Sequence, residues 1–371
     1  MVKLGKYSGE ARIRGLGDEG GFHLEPGLKT DSGMLNQHCS RRQAMKYATL
    51  GTTGLKVSRL CIGCMSFGGP TAKGFEWTLD YEGSKKIIDR ATDLGINFFD
   101  TADVYSGGRS EEILGQALEG RRDDMVIATK VGLPTGSGQG EQGLGRRHIL
   151  HNLKKSLLHL RTNRIDLYQI HRWDYKTPIE EALRTLTEVV RKEEVVDHVG
   201  ASSMWAWQFA KALHTSDRLQ LVRFETMQNH YNLAYREEER EMIPLCREEG
   251  IVLLPWSPLA RGFLTGKYKR AVKPTNLRYR KDSLVRERFF RAEDFDIVEN
   301  LEDIAREQGS RPAQIALAWL LVKREVMAPI VGPTAVNQLE ELVQAVDLKL
   351  TREQVKRLEE PYKPHPVLGH R

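Results

Sequence analysis

The chain has 371 residues, of which 40% are hydrophobic and 29% are charged, and its formal net charge at pH 7 is +6. This length is usual for a β/α barrel that carries insertions. Residues 1–46 hold eight lysines and arginines against five acidic residues, so the rest of the chain is close to balanced. Since we find no basic helix and no long run of like charge, we expect neither a nucleic-acid partner nor a membrane partner.

The four cysteines are too few for a disulfide framework. Cys61 and Cys64 have CxxC spacing, but no second CxxC and no paired-histidine motif accompanies them. We therefore predict buried thiols and no metal site. The longest apolar run, residues 315–322, is too short to span a bilayer. The chain does not start with the apolar segment of a signal peptide, so we expect a cytoplasmic protein.

The beginning of the chain differs in character from the rest. Residues 1–44 are rich in glycine, polar and charged residues without periodicity, so we expect a disordered or loosely attached extension. From residue 45 the pattern becomes regular, and residues 45–371 are predicted to form one barrel domain. This domain opens with a β-hairpin, in which YATLG and VSRL are joined by TTGLK.

Strands and helices then alternate along the chain. Strands are predicted at 60–66, 96–100, 125–130, 165–170, 195–201, 222–228, 250–255 and 327–331. Helices are predicted at 81–94, 109–118, 146–160, from 177, and at 205–213, 235–249, 312–322 and 337–346. The helix from 177 starts with Thr177-Pro178-Ile179-Glu180, which has the form of a capping box. Eight βα units in this order predict an α/β fold, a (β/α)8 TIM barrel with a C-terminal helical tail.

Two long loops follow predicted strands and are therefore expected at the C-terminal mouth of the barrel. They are residues 131–145 and 256–292, and we interpret them as lids or binding loops. Gly138, Gly140 and Gly143 form a GxGxxG match in the first loop. A dinucleotide fingerprint needs its first glycine in the turn directly after a strand, and here several residues intervene. We therefore interpret this match as part of a flexible lid.

Four polar residues stand at or just past the ends of predicted strands. They are Asp100 and Tyr105 in NFFDTADVY, Lys130 in VIATKVG, and His171 in DLYQIHRWD. Strand ends are where β/α barrels keep their chemistry. Each residue alone has an ordinary structural explanation, but a phenol beside an ammonium, an imidazole and a carboxylate suits proton delivery to a carbonyl oxygen.

Hydride transfer to a carbonyl builds negative charge on its oxygen, which then needs a proton and nearby donors. Tyr105 is the predicted acid. A free phenol has a pKa of about 10, and a cation at hydrogen-bond distance lowers such a value. Lys130 can supply this cation, Asp100 can hold it in place, and His171 can orient the carbonyl.

The segments from residue 47 onwards resemble the aldo-keto reductase superfamily, and within it the reductases related to the potassium-channel β subunits. The matching segments are LGTTGLKVSRLCIG, INFFDTADVYSGGRSEEILGQAL, VIATKVG, IDLYQIHRWD, VGASSM, MQNHYN, PWSPLARGFLTGKY and IVGPTAVNQLEEL. The resemblance implies a β/α barrel, a nicotinamide cofactor, and reduction of an aldehyde or ketone. It also implies that Asp100, Tyr105, Lys130 and His171 are the catalytic tetrad.

The resemblance further implies the residues that bind the cofactor. Ser202, Ser203 and Gln228 would hold the nicotinamide carboxamide, and Trp256 would stack on the nicotinamide ring. Ser257, Leu259, Gly262 and Lys267 would surround the pyrophosphate, and Gly332, Thr334, Gln338 and Glu341 would bind the adenine-side phosphate. Relatives that use NADP often carry a basic residue where this chain has Ala335. We expect NADPH, with NADH as an alternative.

Two other functions are compatible with parts of the pattern. A cofactor-sensing regulatory subunit, like the channel β subunits, could keep the same tetrad. A barrel enzyme that uses Lys130 as a Schiff base would need a depressed lysine pKa, which a neighbouring Asp100 opposes. Phe67, Trp77, Trp173 and Tyr175 in the predicted mouth loops indicate apolar or aromatic carbonyl substrates, although sugars also stack on aromatic rings.

Overall fold

The computed structural model describes residues 45–69, 77–138, 140–270, 272, 279–280 and 289–370. The predicted extension, residues 1–44, lies outside the described residues, so the domain boundary at residue 45 remains a prediction. The predicted hairpin is present, with β1 at Tyr47–Thr49 pairing antiparallel with β2 at Lys56–Ser58.

Eight parallel strands form one curled sheet, which confirms the predicted (β/α)8 barrel. They are β3 Cys61–Gly63, β4 Phe98–Asp100, β5 Val126–Val131, β6 Ile165–Ile170, β7 Val196–Ser202, β8 Thr226–Gln228, β9 Val252–Leu253 and β10 Ile330–Val331. Neighbours in the chain pair with each other, and β10 also pairs with β3. The ring closes beside β9, where Leu253 donates its N–H to the carbonyl of Glu325 at 2.8 Å and Trp256 forms a parallel bridge with Ile330.

The last two strands are shorter than predicted, as are β3 and β8, which were predicted at 60–66 and 222–228. The segments 250–255 and 327–331 contribute only Val252–Leu253 and Ile330–Val331 to the sheet. Pro255 and Pro329 have no N–H group to donate, so regular strand pairing stops beside them. The predicted order of the strands is nevertheless correct.

The hairpin closes the barrel at the N-terminal ends of the strands. Leu50 and Val57 are fully buried and belong to one apolar cluster with side chains from the barrel interior. The other buried members are Cys61, Phe98, Val126, Ala128, Leu167, Leu254, Ala328 and Ile330. Because this end is filled by apolar side chains, the polar strand ends at the opposite, C-terminal mouth form the accessible face.

Helices surround the sheet, and their apolar faces pack with it in a second, larger core. They are Tyr81–Asp93, Arg109–Ala117, Arg146–His159, Ile179–Arg191, Ala206–Leu219, Met242–Glu248, Ala292–Glu307, Pro312–Leu321, Val336–Val343 and Arg352–Glu359. The last of these is the predicted helical tail. None of the described helices is long and apolar enough to cross a membrane.

One helix prediction was wrong in extent, and one helix was not predicted. The segment 235–249 is α-helical only over Met242–Glu248, after a separate 3-10 turn at Glu237–Glu239, because the ring of Pro244 excludes the preceding α-helical turn. The helix Ala292–Glu307 was not predicted and follows the loop expected at 256–292. Its apolar positions have helical spacing. The helix was missed because eight strands and eight helices had already been assigned elsewhere in the chain.

The predicted capping box at residue 177 is also wrong. The helix begins at Ile179 with Pro178 at the N-cap, and no side chain caps it. The Thr177 hydroxyl instead bonds the Asp174 carboxylate, whose pKa is lowered by this and by three backbone N–H groups, although burial alone would raise it. The Thr177 hydroxyl, which the motif assigned to the start of the helix, therefore bonds the Asp174 carboxylate in the loop instead.

The helix Arg109–Ala117 fixes the ends of β4 and β5 from outside the barrel. Ser110 Oγ lies 2.9 Å from Thr101 Oγ1, and Glu111 Oε1 accepts the Thr129 hydroxyl at 2.6 Å. The helix reaches this position because Gly115 has no side chain. A Cβ at Gly115 would lie 2.5 Å from the carbonyl carbon of Leu160 and 2.6 Å from the His159 oxygen.

We predict that Gly115→Ala destabilises the protein, although alanine favours a helix over glycine by about 1 kcal/mol. The new methyl group meets rigid backbone, and overpacking of this kind costs roughly 1–3 kcal/mol. Thermal unfolding should show a lower midpoint than for the wild type. The matched control is Gly83→Ala in the helix Tyr81–Asp93, where the nearest atom is a side-chain oxygen of Asp80 at 3.2 Å. Equal midpoints for the two variants would contradict the packing argument.

Candidate active site

The four residues of the predicted tetrad meet at the C-terminal mouth. Asp100 is the last residue of β4, Lys130 lies near the end of β5, and His171 directly follows β6. Tyr105 begins a short 3-10 turn, Tyr105–Gly108, after β4. Parallel strands place their carboxyl ends at one edge of the barrel, so residues distant in sequence come together there.

The Lys130 ammonium makes three hydrogen bonds. Nζ donates to Asp100 Oδ1 at 2.5 Å, to the Thr101 carbonyl at 2.7 Å and to Tyr105 Oη at 3.2 Å. An ammonium has three N–H donors, so these three acceptors use all of them. The bond to the phenol is the longest of the three.

Lys130 and His171, the two titratable residues beside the tyrosine, differ in charge: the lysine is charged and the histidine is neutral. Burial alone disfavours the charge on Lys130, but attraction by Asp100 and Tyr105 outweighs it and raises the pKa of the ammonium above its ordinary value. Burial, followed by repulsion from Lys130 and Arg172, lowers the pKa of His171 well below its ordinary value. The site therefore pairs a charged lysine with a neutral imidazole, and this charged lysine does not suit Schiff-base chemistry.

The imidazole of His171 stands edge-on to the Tyr105 ring, with centroids 5.8 Å apart and planes at 80°. Its Nδ1 is buried without a hydrogen-bond partner among the described residues. A neutral imidazole has one donor nitrogen and one acceptor nitrogen. The ring therefore keeps a nitrogen that no described residue engages.

An open cleft of about 1180 Å³ extends from these residues around the mouth of the barrel. Asp100, Tyr105 and His171 contribute to its wall, whereas Lys130 lies beneath it. All but one of the predicted cofactor residues also line it: Ser202, Gln228, Trp256, Ser257, Leu259, Gly262, Lys267, Gly332, Thr334, Gln338 and Glu341. The exception is Ser203. A cleft of this extent suits an elongated ligand that reaches the tetrad with one end.

Ser203 holds Trp256 instead of lining the cleft. The indole Nε1–H donates to Ser203 Oγ at 2.9 Å, and the ring stacks on His230 with centroids 4.3 Å apart and planes at 12°. His230 in turn stacks on Tyr235 at 4.2 Å. We call these three rings the aromatic column. A Cβ at Gly369 would come within 3.1 Å of the indole, so the C-terminal segment also packs against it.

The loop after Trp256 has strained backbone geometry. Ser257, Ala260 and Arg261 have φ values of 50°, 48° and 55°, in the left-handed region, and Gly262 has a φ of 93°. This region costs most non-glycine residues roughly 1–2 kcal/mol each, and such strain concentrates at functional sites. A Cβ at Gly262 would lie 2.6 Å from the Lys267 ammonium, so glycine leaves room for this cation beside the loop.

Part of the cleft wall lies at the start of a helix. Thr334 directs its N–H and its hydroxyl to Gln338 Oε1, at 2.9 and 3.3 Å. The helix Val336–Val343 begins directly after Ala335, whose side chain provides no cap. N–H groups at such a helix start favour negative charge.

Sequence reasoning missed two polar residues of the site. Arg172 lines the cleft and donates to the His171 carbonyl at 2.5 Å and to Ser202 Oγ at 3.3 Å. Gln169 is fully buried beneath the cleft, where it donates to Asp100. A glutamine within the apolar strand segment DLYQIH was the available signal for Gln169. Only its position beside His171 could have indicated Arg172.

The predicted mouth aromatics do not all contribute. Trp77 lines the cleft, but Phe67 is fully buried in the core. Cys61 and Cys64 are buried thiols, as predicted, and burial raises the pKa of both well above the ordinary value, which makes them unreactive. Among the described residues, no three His, Cys, Asp or Glu side chains are grouped to hold a metal ion.

Comparisons with known proteins agree with this architecture. The sequence profile of the Aldo/keto reductase family matches residues 59–363. The versiconal hemiacetal acetate reductase of Aspergillus parasiticus is 41% identical over 347 residues, which covers 87% of this chain and 98% of that protein. The aldo-keto reductase AMT2 of Alternaria alternata is 36% identical, with 87% and 93% covered. The oxidoreductase YrpG of Bacillus subtilis is also 36% identical, with 83% and 93% covered. The chain therefore belongs to the aldo/keto reductase family.

Proposed function

We propose that this protein reduces an aldehyde or ketone to an alcohol with NADPH, and that Tyr105 delivers the proton. The observation that carries the proposal is the 3.2 Å contact between Tyr105 Oη and Lys130 Nζ at the wall of the cleft. A phenol is a weak acid at neutral pH, and an adjacent ammonium stabilises the phenolate that remains after the proton has left.

The other tetrad residues support this transfer. Asp100 holds the Lys130 ammonium at 2.5 Å and balances its charge. His171 is neutral, so its Nε2–H can donate to the carbonyl oxygen without competing as an acid. Two donors, the phenol and the imidazole, then face the oxygen on which negative charge develops. Preorganised donors of this kind lower the barrier to the reaction.

The residues of the cleft fit a nicotinamide dinucleotide. When bound, it supplies the hydride for the carbonyl carbon. Trp256 offers a ring that stacks on His230 within the aromatic column. Gln228 and Ser202 offer polar atoms for the carboxamide. The glycine at 262 leaves space beside Lys267 for the pyrophosphate, together with Ser257 and Leu259. The adenine end of the cofactor would bind against Gly332, Thr334, Gln338 and Glu341.

The substrate class we favour is an apolar or aromatic carbonyl compound. The wall of the cleft includes Trp77, Met65 and Leu133, which offer apolar contact to a ring. A relative whose name gives versiconal hemiacetal acetate as its substrate is 41% identical to this chain over 347 residues. An aromatic aldehyde panel is therefore the appropriate first test.

We predict that Tyr105→Phe lowers kcat for aldehyde reduction by roughly hundredfold or more, the usual contribution of a positioned acid. NADPH oxidation at 340 nm with a panel of aromatic aldehydes measures this. NADPH binding, followed by quenching of tryptophan fluorescence, should persist because the ring of residue 105 remains.

The matched control is Tyr175→Phe, which removes a phenol hydroxyl from an exposed residue outside the cleft. This control should keep wild-type activity. Full turnover by Tyr105→Phe would contradict its role as the proton donor. Binding of NADPH without its consumption by the wild type, with any aldehyde, would instead favour the regulatory-subunit function.

We predict that His171 stays neutral when the pH falls from 8 to 6, because burial and two neighbouring cations lower its pKa. Imidazole 15N chemical shifts, assigned with His171→Asn, measure the protonation state. His159 is an internal control, since its hydrogen bond with Glu111 raises its pKa and it should become protonated over this range. Titration of His171 near its ordinary value of about 6.5 would contradict a neutral donor.

We predict that Ala335→Arg increases the preference for NADPH over NADH by about tenfold, the effect of one charge-assisted hydrogen bond. Residue 335 stands directly before the helix that begins at Val336, so a guanidinium there can reach an adenine-side phosphate. Dissociation constants for both cofactors measure the preference. Ala335→Gln, long but neutral, is the control and should change it little. If the ratio of the two dissociation constants is the same in the wild type, Ala335→Arg and Ala335→Gln, residue 335 does not contact the phosphate and another group binds it.

A further inference from the structure

The second oxygen of Asp100 receives two side-chain amides. Gln169 Nε2 donates to Oδ2 at 3.0 Å, and Gln228 Nε2 donates to the same oxygen at 2.8 Å. Oδ1 receives Lys130. Both oxygens of the carboxylate are therefore engaged, and its rotation about the Cβ–Cγ bond is fixed from both sides.

The orientation of the two amides is also fixed. Gln169 Oε1 accepts from Gln228 Nε2 at 3.2 Å, so Gln228 directs both of its N–H groups inward. This leaves Gln228 Oε1 as the atom that these bonds do not use, in a residue that lines the cleft. Turning the Gln169 amide by 180° would set its oxygen against the Asp100 carboxylate.

The fold makes room for Gln169 beneath the cleft. Gln169 pairs in register with Lys130 on β5 and with Gly200 on β7. A Cβ at Gly200 would lie 3.1 Å from Gln169 Cγ and 2.3 Å from Thr226 Oγ1, so the absence of a side chain there accommodates the glutamine. Gln169 is fully buried and is not part of the cleft wall, so it would not touch cofactor or substrate.

We infer that Gln169 is a positioning residue for carbonyl reduction, which holds the Asp100 carboxylate so that Oδ1 faces Lys130 and holds the Gln228 amide with its oxygen toward the cleft. This inference rests on the proposed function. Loss of Gln169 would act on the longest hydrogen bond of the Lys130 ammonium, the one to Tyr105. If the carboxylate rotates, Lys130 moves with it, and the 3.2 Å contact with Tyr105 is the first to be lost.

Gln169→Met keeps the length of the side chain and removes both hydrogen bonds. We expect kcat for aldehyde reduction to fall about tenfold, since one charge-assisted bond and one neutral bond are lost. We also expect its kcat–pH profile to differ from that of the wild type, because the Lys130 ammonium is then held less firmly beside the Tyr105 hydroxyl. The melting temperature and the Kd for NADPH should change little by comparison.

Tyr168→Phe is the matched control. Tyr168 is the neighbouring fully buried residue of β6, and its hydroxyl donates to the Ile149 carbonyl at 3.4 Å. This variant also loses a buried hydrogen bond but does not touch Asp100, so its kcat–pH profile should match that of the wild type.

Gln169→Glu provides a second test that a merely structural role would not pass. At pH 8 an added carboxylate beside Asp100 Oδ2 repels it, and activity should be low. Two adjacent carboxyl groups strongly raise one of their pKa values, so protonation on acidification restores an O–H donor to Asp100. We expect kcat relative to the wild type to rise at least about fivefold between pH 8 and pH 6.

Lys130, Cys61 and Cys64, which also face Asp100, do not change protonation state between pH 8 and pH 6. Lys130 remains charged because its pKa is raised. The Cys61 and Cys64 thiols remain protonated because burial raises their pKa values. A recovery between pH 8 and pH 6 that is absent in Tyr168→Phe therefore belongs to the introduced acid.

The inference is overturned if Gln169→Met keeps the wild-type kcat and pH profile, or if Gln169→Glu shows no acid recovery. It is also overturned if Gln169→Met and Tyr168→Phe lose activity and melting temperature equally. Failure of the proposed function looks different: the wild type would then consume no NADPH with any aldehyde, or Tyr105→Phe would keep full turnover. An inactive Tyr105→Phe with a fully active Gln169→Met would overturn the role of Gln169 alone. If Gln169→Met does not fold, Gln169→Glu decides.

Discussion

The site depends on one ion pair, between Asp100 and Lys130, whose side chains are only 3% and 1% exposed. Moving two charges out of water costs several kcal/mol per ion, and their mutual attraction compensates only when the remaining hydrogen bonds are also made. Here they are made. The ammonium has three acceptors, and the carboxylate has one cation and two amides. A buried polar network of this kind is rigid because each member fixes the next.

The barrel supplies the geometry that this pair requires. Asp100, Lys130 and Gln169 come from three consecutive parallel strands, β4, β5 and β6. Their side chains meet because parallel strands share one carboxyl edge. The helix Arg109–Ala117 then fixes Thr101 and Thr129 from outside, next to the charged residues in sequence. Fold and site are therefore coupled through the ends of the strands.

The sequence was sufficient for the fold and for the positions of the tetrad residues, because both depend on local patterns. Apolar strands ending in a polar residue placed Asp100, Lys130 and His171 at the mouth. The partner of each side chain was harder to predict. Gln228 and Ser203 stay predicted contacts of the nicotinamide carboxamide, but the sequence did not indicate that Gln228 also donates to Asp100 and that Ser203 accepts from Trp256. Such partners depend on distances between strands, which no spacing along the chain encodes.

The apolar cluster that the hairpin completes, with Leu50 and Val57 beneath the strand ends, has a consequence for proton traffic. Under the proposed chemistry Tyr105 gives up a proton in every turnover and must regain one from bulk water. Leu167, Phe98 and Ala128 occupy the interior below the ion pair, and hydrocarbon side chains cannot relay protons. Among the described residues, the mouth is therefore the side open to resupply, so under this chemistry proton return and product release share one opening.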